Sequence, residues 1–168
     1  MPPKRKCYLA GAIQDAKDGG AAWRLNITPK LEAMGIVVLD PCKSEANMGE
    51  NGDIVETKEM LEGWIASGNM ELFDRHMDRV IEDDIRAVTE SDFIICLVDL
   101  DYAHGGTWCE LWEAVWHCKN PVYVVCYGPK SKWNHWMLRV VRKGGQIFEN
   151  FGQLMDFLEE KYSAKVKK

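Results

Sequence analysis

Four short runs of this chain are apolar at every position, and the segments between them repeat their apolar residues at helical spacing. The runs are Cys7-Tyr8-Leu9-Ala10, ending at Gly11; Ile36-Val37-Val38-Leu39, ending at Asp40-Pro41; Phe93 to Val98, ending at Asp99; and Val122 to Cys126, ending near Gly128-Pro129. A strand with one wet face alternates apolar and polar residues. A strand apolar throughout has both faces covered, as in a parallel sheet flanked by helices. Trp23, Ile27, Leu31 and Met34 mark a helix that stops at Gly35, a residue suited to a C-terminal cap. Residues 107–118 and 150–161 also read as helices. Strand alternating with helix predicts an α/β domain with a mainly parallel sheet. Ligands of such sheets bind beyond the carboxyl ends of the strands, which points to the loops 11–20, 40–55 and 99–106.

The 168 residues make one domain, 1–168, large enough to bury a core without staples. Residues 1–5 and 162–168 are expected to fray. The polar stretch 43–60, with Asn47, Gly49, Asn51 and Gly52, reads equally as a mobile flap or as a plain surface loop. Lys and Arg number 21 against 26 Asp and Glu, a net charge of −5, which argues against a nucleic-acid partner because phosphate backbones need a basic face. No apolar run reaches the roughly 18–20 residues of a membrane span. After the basic start only Cys7–Ile13 is apolar, too short for a signal peptide, so a cytoplasmic protein with no membrane partner is expected. The six cysteines contain no Cys-x-x-Cys pair and are expected as reduced thiols, with no metal and no cofactor.

Three features carry candidate chemistry. Gly105-Gly106-Thr107-Trp108-Cys109-Glu110 follows a buried strand and opens a helix. Thr107-x-x-Glu110 has the spacing of a capping box. On a helical wheel Trp108, Leu111, Trp112, Val115 and Cys118 form one apolar stripe, with Glu110, Glu113 and His117 opposite. Glu110 is expected in the first turn, beside the positive end of the helix dipole, where a carboxylate can act as nucleophile or electrostatic stabiliser. The second feature is Asp84, which interrupts an apolar stripe of Met77, Ile81, Ile85 and Val88. It pairs with an arginine, caps a loop or lines a pocket where it moves a proton. The third is the exit of the first strand, Gly11-Ala12-Ile13, then Asp18-Gly19-Gly20. It matches neither a dinucleotide fingerprint nor a P-loop. Trp108, Trp112 and Trp116 recur every four residues, which predicts a homo-oligomer, most simply a two-fold dimer through this helix. Trp23 and Trp64 are left as candidates for stacking on a base.

Tyr8-Leu9-Ala10-Gly11 on the first strand, Asp84 on a helix ahead of Ser91-Asp92-Phe93-Ile94-Ile95, and Gly106-Thr107-x-x-Glu110 together resemble the nucleoside 2-deoxyribosyltransferases, over about residues 6–127. The resemblance implies a flavodoxin-like or Rossmann-like three-layer sandwich. It implies that Glu110 is the nucleophile at the anomeric carbon, that Asp84 protonates the leaving base, and that Tyr8 stands by the nucleophile. The covalent glycosyl–enzyme passes its sugar to another base or to water, and two carboxylates suit such retaining chemistry. Gly11, Asp40, Asp101, His104, Gly106, Thr107 and Trp23 are the expected substrate-binding residues. Where the transferases carry an Asp that reads the base, six residues before the nucleophile, this chain has His104, with Asp99 and Asp101 nearby. Gly105-Gly106-Thr107-x-x-Glu110 also resembles the cytokinin-activating phosphoribohydrolases. An N-glycoside hydrolase of nucleoside 5′-monophosphates is therefore an alternative, and a non-catalytic nucleotide-binding module is another. The hydrolase needs a phosphate site, and the 11–20 loop offers backbone N–H groups with only Lys17 and Arg24 for charge. The expected partners are a small nucleoside or nucleotide and a free base.

Overall fold

Each apolar run becomes a strand: β1 (Lys6–Gly11), β2 (Val37–Leu39), β3 (Phe93–Asp99) and β4 (Val122–Tyr127). A fifth, β5 (Gln146–Phe148), completes the sheet. In this computed structural model, which describes residues 4–14, 16–44 and 54–163, all five pair in parallel in the order β2-β1-β3-β4-β5. Helix α1 (Ala21–Ala33) joins β1 to β2; α2 (Ile54–Ser67) and α3 (Met70–Glu90) lie between β2 and β3. Helix α4 (Gly105–Trp112) runs into a π-helical segment, Glu113–Cys118, before β4. Helices α5 (His135–Gly144) and α6 (Phe151–Ser163) flank β5. The chain is an α/β three-layer sandwich of the flavodoxin-like or Rossmann-like kind.

Successive side chains of a strand point to opposite faces, and each face is apolar here. Cys7 and Leu9 of β1 pack with Phe93, Ile95, Tyr123 and Val125 under α1 and α6, against Ile27, Leu31, Leu154 and Leu158. Tyr8 and Ala10 point the other way. They join Ile94, Cys96, Val122 and Val124 under α3, α4 and α5, whose Val88, Leu111, Ala114 and Val141 close that layer. The strand order places β1 beside β3 with its crossovers leaving on opposite faces, so a crevice opens at their carboxyl ends. All six cysteines are unpaired.

Several local expectations change. β5 has three residues and a single β-branched side chain, Ile147, too little pattern to read as a strand. Helix α5 starts at an Asn134 cap, whose Oδ1 accepts from the amides of Trp136 (2.8 Å) and Met137 (3.1 Å). Of the two ends, residues 1–3 and 164–168 lie outside the described residues, and the rest is held by contacts. The Arg5 carbonyl accepts from the amide of Val37 at 2.7 Å, and α6 continues to Ser163 because Tyr162 stacks on Phe93, with ring centres 5.2 Å apart. Of the stretch 43–60, residues 54–60 belong to α2 and 45–53 lie outside the described residues. On α3 the inward line runs through Val80 and Val88, leaving Ile81 exposed.

One buried cation ties the carboxyl edge together. Arg24 on α1 is fully buried, on the line of Ile27, Thr28 and Leu31. Its guanidinium donates to the carbonyls of Leu9 (3.3 Å), Gly11 (3.1 Å) and Gly20 (2.7 Å). Its Nε stands 3.6 Å from Asp40, whose side chain is also buried. Gly20 has φ +71°, and a Cβ there would overlap the Ala12 carbonyl and the Arg24 guanidinium, so glycine is required twice over. Replacing Arg24 by Met strands three carbonyls and the Asp40 carboxylate. The variant is expected to lose about 3–5 kcal/mol in a denaturant melt. Adding Asp40→Asn to Arg24→Met should then cost less than the sum of the two single changes.

Candidate active site

Strand β1 delivers Tyr8 to the face under α3 and α4, and the hydroxyl of this fully buried residue reaches α4. There it donates to Glu110 Oε1 at 2.7 Å. The other carboxylate oxygen, Oε2, is buried with no hydrogen-bond partner among the described residues. Asp84 enters from α3, close enough for its charge to act on both Tyr8 and Glu110. Three segments far apart in sequence thus converge on one phenol between two carboxyl groups.

Burial dominates the electrostatics of this trio. It pushes Glu110 up from an ordinary 4.5 to about 7, and the Asp84 charge pushes the same way; the Tyr8 bond and the more distant Arg24 guanidinium oppose them. Asp84 is pushed up from 3.8 to about 6, again first by burial, while the Tyr8 hydroxyl and Arg24 restrain it. Burial raises the Tyr8 phenol as well, and the two carboxyls add to it, so it stays a hydrogen-bond donor at neutral pH.

The expected helix start is corrected here. Helix α4 begins at Gly105 with His104 as its cap residue, so Glu110 is the sixth residue of the helix. No capping box forms, since no side chain caps this helix. Glu110 does not point away from the core, as the wheel had it. The inward line of α4 runs through Thr107, Leu111 and Ala114, and Glu110 borders it toward the sheet. The wheel also drifts because Glu113–Cys118 is wound as π-helix. Glu113 and His117 pair with each other outside. Trp112, expected in the apolar stripe, is 40% exposed, and stacks on Trp116 near the exposed Trp136.

The other expected site residues fall into two places. Tyr8, Asp40 and Asp84 line a cavity of about 680 Å³ between the β1–β2 edge and α3. Asp40 is committed to Arg24, and its carboxylate also accepts from the amide of Cys42 at 3.0 Å. Trp23 and His104 line a smaller cavity of about 90 Å³ with Asp18, Gly20, Asp99 and Tyr102. Trp23 stacks on Phe151 (5.5 Å) and under the Arg24 guanidinium (4.7 Å). His104 is buried; its Nε2 meets the Asp99 carbonyl at 2.7 Å, while Nδ1 is buried without a partner. A carbonyl only accepts, so Nε2 is the ring nitrogen that donates. Gly11 ends β1 with its carbonyl on Arg24. Gly106 and Thr107 lie in the first turn of α4, and Asp101 is exposed, its amide donating to Asp99 Oδ1 at 3.1 Å. Trp64 meets His76 edge-on at 5.9 Å, away from the trio.

Sequence reasoning counted Arg24 as loose positive charge for the 11–20 loop, yet it is the clamp of that loop. The signal was present: an arginine at i, with Ile27, Thr28 and Leu31 at i+3, i+4 and i+7, sits on the buried face of α1. Among the described residues no group of His, Cys, Asp and Glu is placed to hold a metal ion, and no helix is long and apolar enough to cross a membrane.

The fold and its crevice define a class: parallel α/β sandwiches with an acidic pair at the carboxyl edge of the sheet. No family model matches the sequence, and no curated protein matches it. Solved structures do. A 2-deoxyribosyltransferase from Bacillus psychrosaccharolyticus superposes with a TM-score of 0.59 at 16% identity, over 89% of this chain and 90% of that one. The 2-deoxyribosyltransferase of Leishmania mexicana gives 0.59 at 15% identity, over 93% and 97%. A CMP N-glycosidase from Clostridium botulinum gives 0.55 at 14% identity, over 94% and 99%. At these identities the likeness is one of fold along nearly the whole chain.

The raised carboxyls set a pH dependence of stability. Between about pH 4 and 7 the folded state keeps protons that the unfolded chain has lost. Stability therefore falls as pH rises through that window. Glu110→Gln, which cannot ionise, is expected to melt about 6–12 °C above the wild type at pH 8 and level with it at pH 4.5. Differential scanning calorimetry at the two pH values checks this.

Proposed function

We propose that this chain cleaves the N-glycosidic bond of a deoxynucleoside and transfers the sugar to a second base, through a covalent ester on Glu110. The observation that carries the reading is the Tyr8–Glu110 bond of 2.7 Å beside a second carboxyl, Asp84, that shares its charge balance. In the first step a Glu110 oxygen bonds to the anomeric carbon. The carbon–nitrogen bond breaks, its electron pair leaves with the base, and Asp84 supplies the proton that the base nitrogen takes up. In the second step the incoming base nitrogen attacks the same carbon, the ester bond breaks, and Asp84 takes back a proton. Tyr8 holds Glu110 in line through its hydroxyl, and the electron pair of the broken ester bond returns to the Glu110 oxygen, where the Tyr8 hydrogen bond meets the restored charge.

The productive state has Glu110 ionised and Asp84 protonated. The ordinary order of the free site is the reverse, because burial raises Glu110 further than Asp84. Substrate in the site settles the distribution: a carbon electrophile beside Glu110 favours its anion, and a basic ring nitrogen beside Asp84 favours its acid. The fold shared with two 2-deoxyribosyltransferases supports transfer. The fold shared with a CMP N-glycosidase supports the second reading, in which water takes the sugar from a nucleoside 5′-monophosphate.

Incubation with paired deoxynucleosides and free bases, read by chromatography, separates these outcomes. Base exchange is the expected result; free sugar or sugar phosphate alone marks a hydrolase, and no product at all defeats both. Acid-quenched enzyme should carry a pentosyl mass on the peptide containing Glu110. Glu110→Ala should lose on the order of 10⁴–10⁶ in kcat. For the wild type, kcat/KM is expected to be bell-shaped, with flanks near pH 6 and 7. Asp84→Asn should abolish the alkaline flank, move the acid flank down, and slow poor leaving groups by about 10²–10⁴ while sparing activated ones. A destabilised Asp84→Asn that turns over normally per folded molecule would refute the acid–base role.

A further inference from the structure

The net charge of −5 conceals an uneven distribution. Residues 114–148 contain six Lys and Arg and no Asp or Glu, while the rest of the chain has 15 cations against 26 carboxylates. On α5, Trp136, Arg139 and Lys143 share one side of the helix, at i, i+3 and i+7, beside the buried line of Met137, Val140 and Val141. Two indoles of the neighbouring helix complete this side. Trp112 stacks on Trp116 with ring centres 5.0 Å apart, and Trp136 lies 6.3 Å from Trp112. Lys143 Nζ sits 3.9 Å over the Trp116 ring, and the Arg139 guanidinium 5.9 Å. The five side chains are therefore one patch, and Trp136 is 73% exposed in it.

No carboxylate answers the two cations among the described residues. Of the elements packed on α5, β4 and β5 carry none. Helix α4 and its π-helical segment carry two: Glu110, turned into the buried site, and Glu113, paired with His117. Glu149, just after β5, is paired with Lys130. The patch is thus an aromatic surface under an uncompensated positive field.

The two-fold dimer expected from the Trp108, Trp112 and Trp116 repeat would set Arg139 and Lys143 of both copies against each other, whereas an anionic partner gains from them. An acidic peptide supplies charge without a flat ring at each residue. A bilayer supplies charge, yet one largely exposed Trp is little apolar surface to anchor in it. Single-stranded nucleic acid carries both a phosphate and an unpaired ring in every unit.

We propose that Trp112, Trp136, Arg139 and Lys143 form a docking face for single-stranded nucleic acid, with bases stacking on the indoles and phosphates meeting the two cations. The face lies on the outside of α4 and α5, and its occupation does not depend on the glycosidic chemistry proposed above.

The test is fluorescence anisotropy of a labelled single strand of mixed sequence, about 12 nucleotides long, titrated with the full chain. Binding is expected to weaken about 5–10-fold between about 50 and 200 mM NaCl, as two phosphate-bound cations require. Arg139→Gln/Lys143→Gln should flatten that salt dependence, whereas Lys30→Gln/Lys58→Gln should leave it. Trp136→Ala, at an exposed position, should weaken binding by about 5–100-fold at an unchanged melting temperature, and Trp136→Phe should recover part of the loss. Several results overturn the proposal: no binding tighter than about 100 μM at the lower salt, binding that survives Trp136→Ala, or competition by a duplex or by polyglutamate as strong as that of the single strand. Sedimentation supplies another: a dimer of the wild type that Trp136→Ala dissociates gives the patch to a second copy of the chain.

Discussion

The guanidinium of Arg24 is the interaction on which the carboxyl edge of this sheet depends. It draws the ends of β1, the turn at Gly20 and the residue after β2 onto one point. An uncompensated charge in that position would be prohibitive, and the compensation is nearly all backbone: three carbonyls and a single carboxylate. Its field extends to the buried carboxyls of the candidate site, where it lowers both Glu110 and Asp84. The same residue therefore holds the loops and moderates the charge of the groups they surround.

Against that moderation stands burial. Burial disfavours the charge of both Glu110 and Asp84, and the Asp84 charge makes ionisation of Glu110 harder still. Two carboxyls poised near neutrality can exchange roles as acid and base at little cost, which carboxyls with ordinary values cannot do. Tyr8 is the third member. Its own ionisation is suppressed, so its proton stays available to Glu110 as a hydrogen bond. The fold accepts a less stable arrangement here at neutral pH, and that is a common signature of a working site.

Proteins that share 14–16% of residues with this chain share its fold along nearly their whole length. In this chain His104 lines the smaller cavity with a buried ring nitrogen that has no partner among the described residues. A shared fold does not by itself carry chemistry, which rests on the side chains of the site.

By itself the sequence determined the sheet and its class. Strands apolar on both faces leave no arrangement except a parallel sheet covered by helices, and Cys7–Ala10, Phe93–Val98 and Val122–Cys126 carry that pattern without ambiguity. It also singled out Glu110 and Asp84, because a carboxyl breaking an apolar stripe, or following a Gly-Thr pair, is legible as an anomaly, whereas Tyr8 was named only through the family resemblance. It did not disclose β5 or α5, whose patterns are too short to stand out. It misplaced Glu110 in the first turn, because the start of α4 is set by how the chain leaves β3 through His104 and not by the Thr107-x-x-Glu110 spacing. Arg24 looked free and proved to be the clamp. Whether a charge is paired depends on which distant segments the fold brings within a few ångströms of it, and that is settled by tertiary structure alone.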